Sequence, residues 1–375
     1  MTMLFLLLLV PLSIGVVAFF VSKGKITVKE LCVMEGVMLA LISTGYLVAL
    51  SNQTSDTEIW SGRVANKTKD TIGCCHSYEC NCTTTCSGKN NSDCTRSCQT
   101  CYRHGHDVEW NAVSTNHESL YSNSCNDPDT SEPRRWTQIV VGEPTAYHHS
   151  FTNYIKGNPD SILRREGVSP KLLSMVPAYP EVYDHYRAQR FLAVGGAIVP
   201  DIAGLNRRLS EINADLGSVR HVNMTVIVVK TDDQMYLEAV RQAWLGGKKN
   251  DLIAVVGVRD APGGGPQEIA WAGVVSWTKI EEIKLSIRDA IVDQKVFDGD
   301  KILSVVKTEV AGKFVRRHMA DFEYLKSTME PPASILWFLF IFGLVLSAGL
   351  TWYFWVYDPF GGSGATFGYR PKRCF

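Results

Sequence analysis

Residues 222–258, VNMTVIVVKTDDQMYLEAVRQAWLGGKKNDLIAVVGV, decide the fold of this chain. Two runs rich in Val and Ile stand at the ends of the stretch, and each is too short for a helix. Between them Leu237, Val240 and Trp244 recur at helical spacing, and the glycine pair at 246–247 follows where a helix would close. This order predicts a β-α-β unit. Strands so continuously apolar are typical of the buried centre of a layered α/β domain.

The flanking sequence extends this unit into a small α/β sandwich at residues 199–330. Asp201–Leu216 is amphipathic and predicts a helix before the unit. A third strand is predicted at residues 268–277, with one helix directly after it and a last helix starting at Asp298 or Asp300. The predicted order is helix, strand, helix, strand, strand, helix, helix.

Three apolar runs are long enough to cross a bilayer. Two lie within residues 1–50, at Met3–Val21 and Leu31–Leu50, and the third is residues 334–357. A cleaved signal peptide is the alternative for the first run, but no basic residue precedes its apolar core. The pattern predicts three transmembrane helices.

Basic residues at the ends of these runs predict the orientation. Short flanks rich in Lys and Arg stay on the cytoplasmic side of a membrane. The loop between the first two runs and the tail at residues 358–375 both carry such residues: Lys23, Lys25, Lys29, Arg370, Lys372 and Arg373. Residues 51–333 are therefore expected outside the cytoplasm.

Residues 51–135 form a polar segment that holds nine of the eleven cysteines. The segment is too poor in apolar residues for a core, so its many cysteines imply cross-links or metal, and an oxidising compartment favours disulfides. Nine is an odd number and adjacent cysteines rarely both bridge well, so Cys74 or Cys75 is expected to be free or to pair between chains, which leaves an oligomer open. The predicted disulfide cysteines are Cys75, Cys80, Cys82, Cys86, Cys94, Cys98, Cys101 and Cys125.

Zinc is the alternative for this segment. The spacings C-x-C, C-x3-C and C-x2-C are compatible with zinc ligation, and His76, His104 and His106 are interspersed among them. Residues 136–198, which follow, are interrupted by five prolines. They are expected to be an irregular connector that adds an edge strand or two.

The motifs of common enzymes are missing from the sequence. The glycine run at 263–265 lacks dinucleotide-binding spacing, and Gly247-Lys248 continues with Lys249 rather than Ser or Thr. No G-x-S-x-G or H-E-x-x-H occurs. The 38 basic residues equal the 38 acidic ones, so charge gives no argument for binding nucleic acid.

Acidic residues at predicted loop ends are the candidate metal ligands. Loops beyond the strands of an α/β layer often form the ligand site, and carboxylate oxygens suit calcium. Helix caps and solvated loops are the favoured alternative. The candidates are Asp232, Asp233, Asp251 and Asp260.

The passage from strand through W-L-G-G-K-K-N-D to strand resembles the TPM domain (thylakoid, phosphatase and MOLO). Asn250 and Leu252–Val258 match that family's pattern, and residues 199–205, VPDIAGL, resemble its entry into the first helix. The resemblance implies an α/β domain with a membrane anchor and, in some members, weak metal-dependent phosphatase activity. Asp251 stands where the family has Gly, and the family's basic, glycine-rich segment is replaced by Pro262–Trp277.

The whole layout is similar to that of uncharacterised membrane proteins of tailed bacteriophages. D-T-E-I-W at 56–60, H-S-Y-x-C-N-C at 76–82, Y-H-H-S-F-T-N-Y-I-K at 147–156 and M-A-D-F-E-Y-L at 319–325 carry this resemblance. It implies a protein of the bacterial inner membrane that faces the periplasm.

Three hypotheses of function follow. The first is a non-enzymatic protein that binds a partner in the host envelope through its extracytoplasmic part. The second is a weak metal-dependent phosphohydrolase of the TPM type. The third is a structural component of the virion.

Overall fold

The computed structural model describes residues 2–22, 25–87, 93–158, 167–184, 186–357 and 359–360. Most of the predicted basic flanks, including Lys23 and the tail from residue 361, lie outside them. The helices are α1 (Thr2–Val21), α2 (Val28–Thr54), α3 (Arg134–Gln138), α4 (Tyr154–Gly157), α5 (Pro170–Met175), α6 (Ile202–Arg220), α7 (Tyr236–Ala243), α8 (Glu282–Val292), α9 (Gly299–Lys313) and α10 (Ala333–Tyr357), with a 3-10 helix at Met319–Thr328. The strands are β1 (Ser55–Gly73), β2 (Ser77–Ser87), β3 (Asp93–Tyr102), β4 (His106–Ser114), β5 (Ser119–Asn126), β6 (Pro144–Thr152), β7 (Val182–Tyr183), β8 (Arg187–Ala188), β9 (Phe191–Val194), β10 (Asn223–Lys230), β11 (Asp251–Arg259) and β12 (Glu268–Ser276).

The β-α-β unit has the structure that its sequence predicts. β10 and β11 are parallel, and their register runs from Asn223 opposite Asp251 to Lys230 opposite Val258. β9 adds a parallel edge strand next to β10, and β12 pairs antiparallel with β11, so the sheet order is β12-β11-β10-β9. The order of elements from α6 to α9 is the predicted one.

Helices cover both faces of this sheet because side chains alternate along each strand. Val226 and Val228 of β10 pack with α6, α8 and α9 on one face. Ile227 and Val229 pack with α5 and α7 on the other. The result is a mixed helix and strand architecture in which the two central strands are buried on both faces.

The four-stranded sheet formed by the earlier part of the chain, of order β5-β4-β1-β6, differs from the sequence prediction, and we call it the first sheet. Residues 51–135 were expected to lack a core, yet this sheet has a small one that includes Val64, Ala112 and Leu120. The alternating pattern in β4 accounts for it, since every second side chain is buried along most of the strand. The connector at 136–198 contributes edge strands to both sheets, β6 to this one and β9 to the other.

The chain divides into two compact units. The first comprises Met1–Asp56, Phe151–Leu163 and Met319–Phe375, and the second comprises Thr57–Ser150 and Arg164–His318. In the first unit α1, α2 and α10 pack together through side chains that include Met38, Ile42 and Leu339. All three helices are long and apolar enough to span a membrane. Residues 57–135 of the predicted Cys-rich module and residues 199–318 of the predicted α/β domain thus belong to one compact unit.

Candidate functional site

The β2–β3 hairpin is held together by disulfides. Three of them join its two strands, at Cys80–Cys101, Cys82–Cys98 and Cys86–Cys94. A fourth, Cys75–Cys125, links the segment before β2 to β5. The four pairs use the eight cysteines that the sequence predicts to be oxidised. Cys74 is free and half-buried.

The hairpin has no hydrophobic core among the residues whose burial the structure describes. Among its residues whose burial the structure describes, 77–86 and 94–102, none is buried. Its surface is rich in Ser, Thr, Asn and Gln, and the side chains of Tyr78 and Tyr102 are exposed. Because burial does not stabilise the hairpin, the disulfides must, and its side chains are left available for contact.

The four candidate aspartates do not form one site. Asp251 begins β11, whereas Asp260 follows the end of β11, and Asp232 and Asp233 follow the end of the parallel strand β10. Asp251 therefore lies at the opposite edge of the sheet from the other three. At about 3.3 Å per residue, a strand of this length separates its ends by roughly 25 Å.

The other three aspartates lie in loops beyond the strands, where Asp260 and Asp233 have nearby partners. Asp260 pairs with Lys230 at 2.6 Å and accepts a hydrogen bond from Gln267, and these contacts lower its pKa. Asp233 accepts a hydrogen bond from the backbone N–H of Met235 just before α7. Asp232 is exposed in the same loop. The cap and loop roles that the sequence favours fit these contacts.

Asp251 is fully buried in a polar network. It accepts hydrogen bonds from the hydroxyl of Tyr179, from Nδ2 of Asn223 and from the N–H of Lys248. Burial raises the pKa of Asp251 to about 6 although these hydrogen bonds oppose the rise. Arg190, also buried, donates to the side-chain oxygen of Asn223, and burial lowers its pKa to about 10. The network connects β9, β10 and β11 at one edge of the sheet.

Several charged side chains surround Glu58 of β1, whose own side chain is buried. Oε1 of Glu58 pairs with the guanidinium of Arg316, lies 3.6 Å from Nζ of Lys249 and accepts a hydrogen bond from the indole of Trp60 at 2.8 Å. His149 of β6 lies 3.2 Å from the same oxygen. We call Glu58, Trp60, His149, Lys249 and Arg316 the Glu58 cluster.

The aromatic part of the Glu58 cluster is layered. The imidazole of His149 stacks on the indole of Trp60, with ring centroids 4.0 Å apart, and His221 lies 5.0 Å from the same indole. Burial and the nearby guanidinium of Arg316 lower the pKa of His221. Burial likewise lowers the pKa of Lys249, although Glu58 opposes this. Within the second unit, the cluster links β1 and β6 to the loops that hold Lys249, before β11, and Arg316, after α9.

Sequence reasoning did not identify the Glu58 cluster. Its members come from four separated segments. Three of these, at residues 56–60, 147–156 and 244–251, carry the resemblances, but nothing in them indicates that their side chains meet. No sequence signal marks Glu58 as buried, because β1 is a polar strand that is buried only in part of its first half. Its burial in the structure is what shows that the carboxylate requires partners.

A cleft of about 460 Å³ opens on the same unit and is lined by residues of β6, β8 and α6. One acid of the lining, Glu143, is paired with Arg187 at 3.0 Å and accepts a hydrogen bond from Tyr186 at 3.2 Å. Burial raises the pKa of Tyr186 to about 12. The lining also includes Arg190, Arg207 and Glu211, so it suits binding of a polar group.

Comparisons with protein-family models, with curated proteins and with solved structures give no match for this chain. The fold and the site define a class in physical terms only. The chain is a mixed helix and strand protein with three helices able to span a membrane and a hairpin held by disulfides.

Proposed function

We propose that the chain is a membrane-anchored, extracytoplasmic binding protein whose hairpin, β2–β3, contacts a protein partner. The observation that carries the proposal is the hairpin itself, since it combines three disulfides with side chains that are not buried. A rigid element exposed in this way loses little conformational entropy when it binds. Tyrosine with small polar residues is also the composition that antibody paratopes use.

The proposed location rests on the disulfides and on the basic flanks of the apolar runs. Persistent disulfides belong to oxidising compartments, and the Lys and Arg flanks favour an orientation with residues 51–333 outside the cytoplasm. Together with the resemblance to phage membrane proteins, this supports the inner membrane of a bacterial host, with the partner in the envelope. Digestion of intact spheroplasts with external protease tests the orientation. Residues 51–333 should be degraded while a tag at the C-terminus stays protected.

The binding role is tested by photo-crosslinking in intact cells. A photoreactive amino acid at Thr84, exposed on β2, is expected to give a discrete cross-linked band with the full-length protein. The same substitution at Lys307, exposed on α9, serves as the control and should give none. The proposal fails if Thr84, Thr95 and Tyr102 all give no band, or if Lys307 gives the same one.

A phosphohydrolase of the TPM type is the second candidate. This candidate rests on the sequence resemblance. The structure does not bring the four predicted metal ligands together, because Asp251 lies at the opposite sheet edge from Asp232, Asp233 and Asp260. Calcium-dependent hydrolysis of a generic phosphoester, abolished by Asp232→Ala with Asp233→Ala, would favour it over the binding role.

A virion component is the third candidate. Mass spectrometry of purified particles separates it from a protein that remains in the membrane, which should be recovered only from the envelope fraction.

A further inference from the structure

Cys74, which none of the four disulfides uses, lies in a compact group with His76, His104 and Asp107. One potential ligand atom from each residue lies within 4.8 Å of all the others. Nδ1 of His76 and Nε2 of His104 lie 3.2 and 3.1 Å from Oδ1 of Asp107. Sγ of Cys74 lies 3.6 Å from the other ring nitrogen of His104, Nδ1, and only one of the two nitrogens can serve as the ligand. Ligands around a tetrahedral zinc are about 3.3–3.6 Å apart, given zinc bonds of about 2.0–2.3 Å. The group therefore has the dimensions of a metal site.

Two buried polar atoms of the group also indicate a metal site. Nδ1 of His76 and Oδ1 of Asp107 are both buried, and neither has a hydrogen-bond partner among the residues the structure describes. They lie 3.2 Å apart, so the contact is close without being aligned as a hydrogen bond. Buried polar atoms without partners are rare in native proteins and often mark an ion site. A cation between the two atoms satisfies both lone pairs.

The charge of the group also favours a cation. The side chain of Asp107 is fully buried, and its other oxygen accepts a hydrogen bond from the N–H of Cys75 at 2.7 Å. Its ion-pair contacts are the imidazoles of His76 and His104, whose rings lie 5.1 Å apart. A buried carboxylate needs a compensating charge. A divalent cation supplies that charge while both rings remain neutral, and with a thiolate at Cys74 the site carries no net charge.

We propose that Cys74, His76, His104 and Asp107 bind one zinc-class divalent cation. One thiolate, two imidazoles and one carboxylate suit zinc, whereas calcium and magnesium prefer an all-oxygen set. Four protein ligands fill the tetrahedral coordination of zinc, which is the arrangement of structural sites. Binding releases the thiol proton of Cys74, because the metal takes the thiolate. This site is separate from the aspartates that the sequence nominates and goes beyond the proposed binding role.

The position of the site gives it a structural purpose. Cys74 and His76 lie between β1 and β2, where the chain enters the hairpin, and His104 lies between β3 and β4, where it leaves. Asp107 is the second residue of β4 in the first sheet. A metal held by all four fixes the base of the hairpin to that sheet. The Cys75–Cys125 disulfide does so from the next residue.

The competing arrangement is a thiol nucleophile, with His104 between Cys74 and Asp107 as base. This chemistry uses three of the four residues and leaves His76 without a role, although its ring is as close to Oδ1 of Asp107 as that of His104 is. The sequence leaves zinc bound by the Cys-rich segment as an alternative to disulfides, and the structure differs from that alternative. The cysteines of the hairpin are paired in disulfides, and of His76, His104 and His106 only His106 lies outside the proposed site and is exposed.

The test is metal analysis of the full-length protein, purified in detergent after expression with zinc. We expect close to one zinc per chain in the wild type and in the control His106→Ala, which changes a histidine two residues from His104. Cys74→Ser and His76→Ala should each weaken zinc binding by more than the roughly 10–100-fold that loss of an outer-shell partner costs. Cobalt in place of zinc should give the intense visible absorption of a tetrahedral site and a thiolate charge-transfer band, which Cys74→Ser abolishes.

Alkylation of Cys74 separates the metal site from the nucleophile. With metal bound, iodoacetamide should react slowly at Cys74 and faster once a chelator is added. The proposal is overturned if the wild type holds no zinc, or if Cys74 alkylates rapidly in a manner that needs His104 but not His76. A disulfide-linked dimer through Cys74 on non-reducing gels also overturns it. Zinc affinity that is unchanged in both Cys74→Ser and His76→Ala would show that the metal binds elsewhere, and it has the same consequence.

Discussion

The hydroxyl of Tyr179 lies 2.9 Å from both carboxylate oxygens of Asp251. Asn223 and the backbone N–H of Lys248 donate to the same carboxylate at 2.8 and 2.7 Å. Asp251, nominated by the sequence as a metal ligand, thus has its oxygens occupied by donors from three segments of the chain. Its burial and its hydrogen bonds fit a structural role at the start of β11.

The raised pKa of Asp251 predicts a specific pH dependence of stability. The folded pKa is about 6, above the ordinary value of 3.8, so the folded state binds the proton more tightly. The stability that Asp251 contributes is fully present below about pH 4 and is lost as the pH rises through 6, by about 3 kcal/mol.

The measurement compares the melting temperature of Asp251→Asn with that of the wild type between pH 4 and pH 7. The variant cannot titrate at this position, so its stability should fall less with rising pH. Asp289→Asn, at an exposed position on α8, is the control and should keep the wild-type slope. Equal slopes for all three proteins would contradict the assignment.

Removal of the Glu58 charge should destabilise the second unit. Glu58→Gln leaves Arg316 and Lys249, both largely buried, without their carboxylate. Loss of one partner from a buried pair costs about 3–5 kcal/mol. In a double-mutant cycle with Arg316→Gln, the two losses should be less than additive. Glu282→Gln breaks the exposed pair with Lys313 and should cost less than about 1 kcal/mol in the same thermal melts. Strict additivity would show that Glu58 and Arg316 are not coupled.

The α/β sandwich could be predicted from sequence. The Glu58 cluster and the proposed metal site of Cys74, His76, His104 and Asp107 could not. Val226 and Val228 belong to a continuous apolar run, and such a local pattern determines its own secondary structure. The first sheet was missed because its strands β1 and β6 are separated by about 70 residues of intervening chain and its core is small. His76 and His104 are 28 positions apart, and only the pairing of β2 with β3 brings them together.

A close contact between β11 and β12 predicts the effect of a single methyl group. A Cβ at Gly257 would lie 2.1 Å from Nε1 of Trp271, whose indole donates to the carbonyl of Thr231. Gly257→Ala must displace this ring, and overpacking of this kind costs about 1–3 kcal/mol. Gly312→Ala in α9 meets no atom within 4 Å and should instead stabilise the protein, by up to about 1 kcal/mol. Thermal melts with tryptophan fluorescence distinguish the two, and a neutral Gly257→Ala would contradict the contact.

The disulfides should divide into local and global contributors. Cys86 and Cys94 lie in the hairpin, away from any core, so replacing both with Ser should open the hairpin to protease without changing the main melting transition. Cys75–Cys125 reaches β5 of the first sheet and spans 50 residues, so its removal should lower that transition, by about 4 kcal/mol in the chain-entropy account. Limited proteolysis followed by thermal melts of the two double variants measures both effects. An equal loss of melting temperature in both would mean that the hairpin unfolds together with the sheet, and its proposed role as an independent contact surface would need revision.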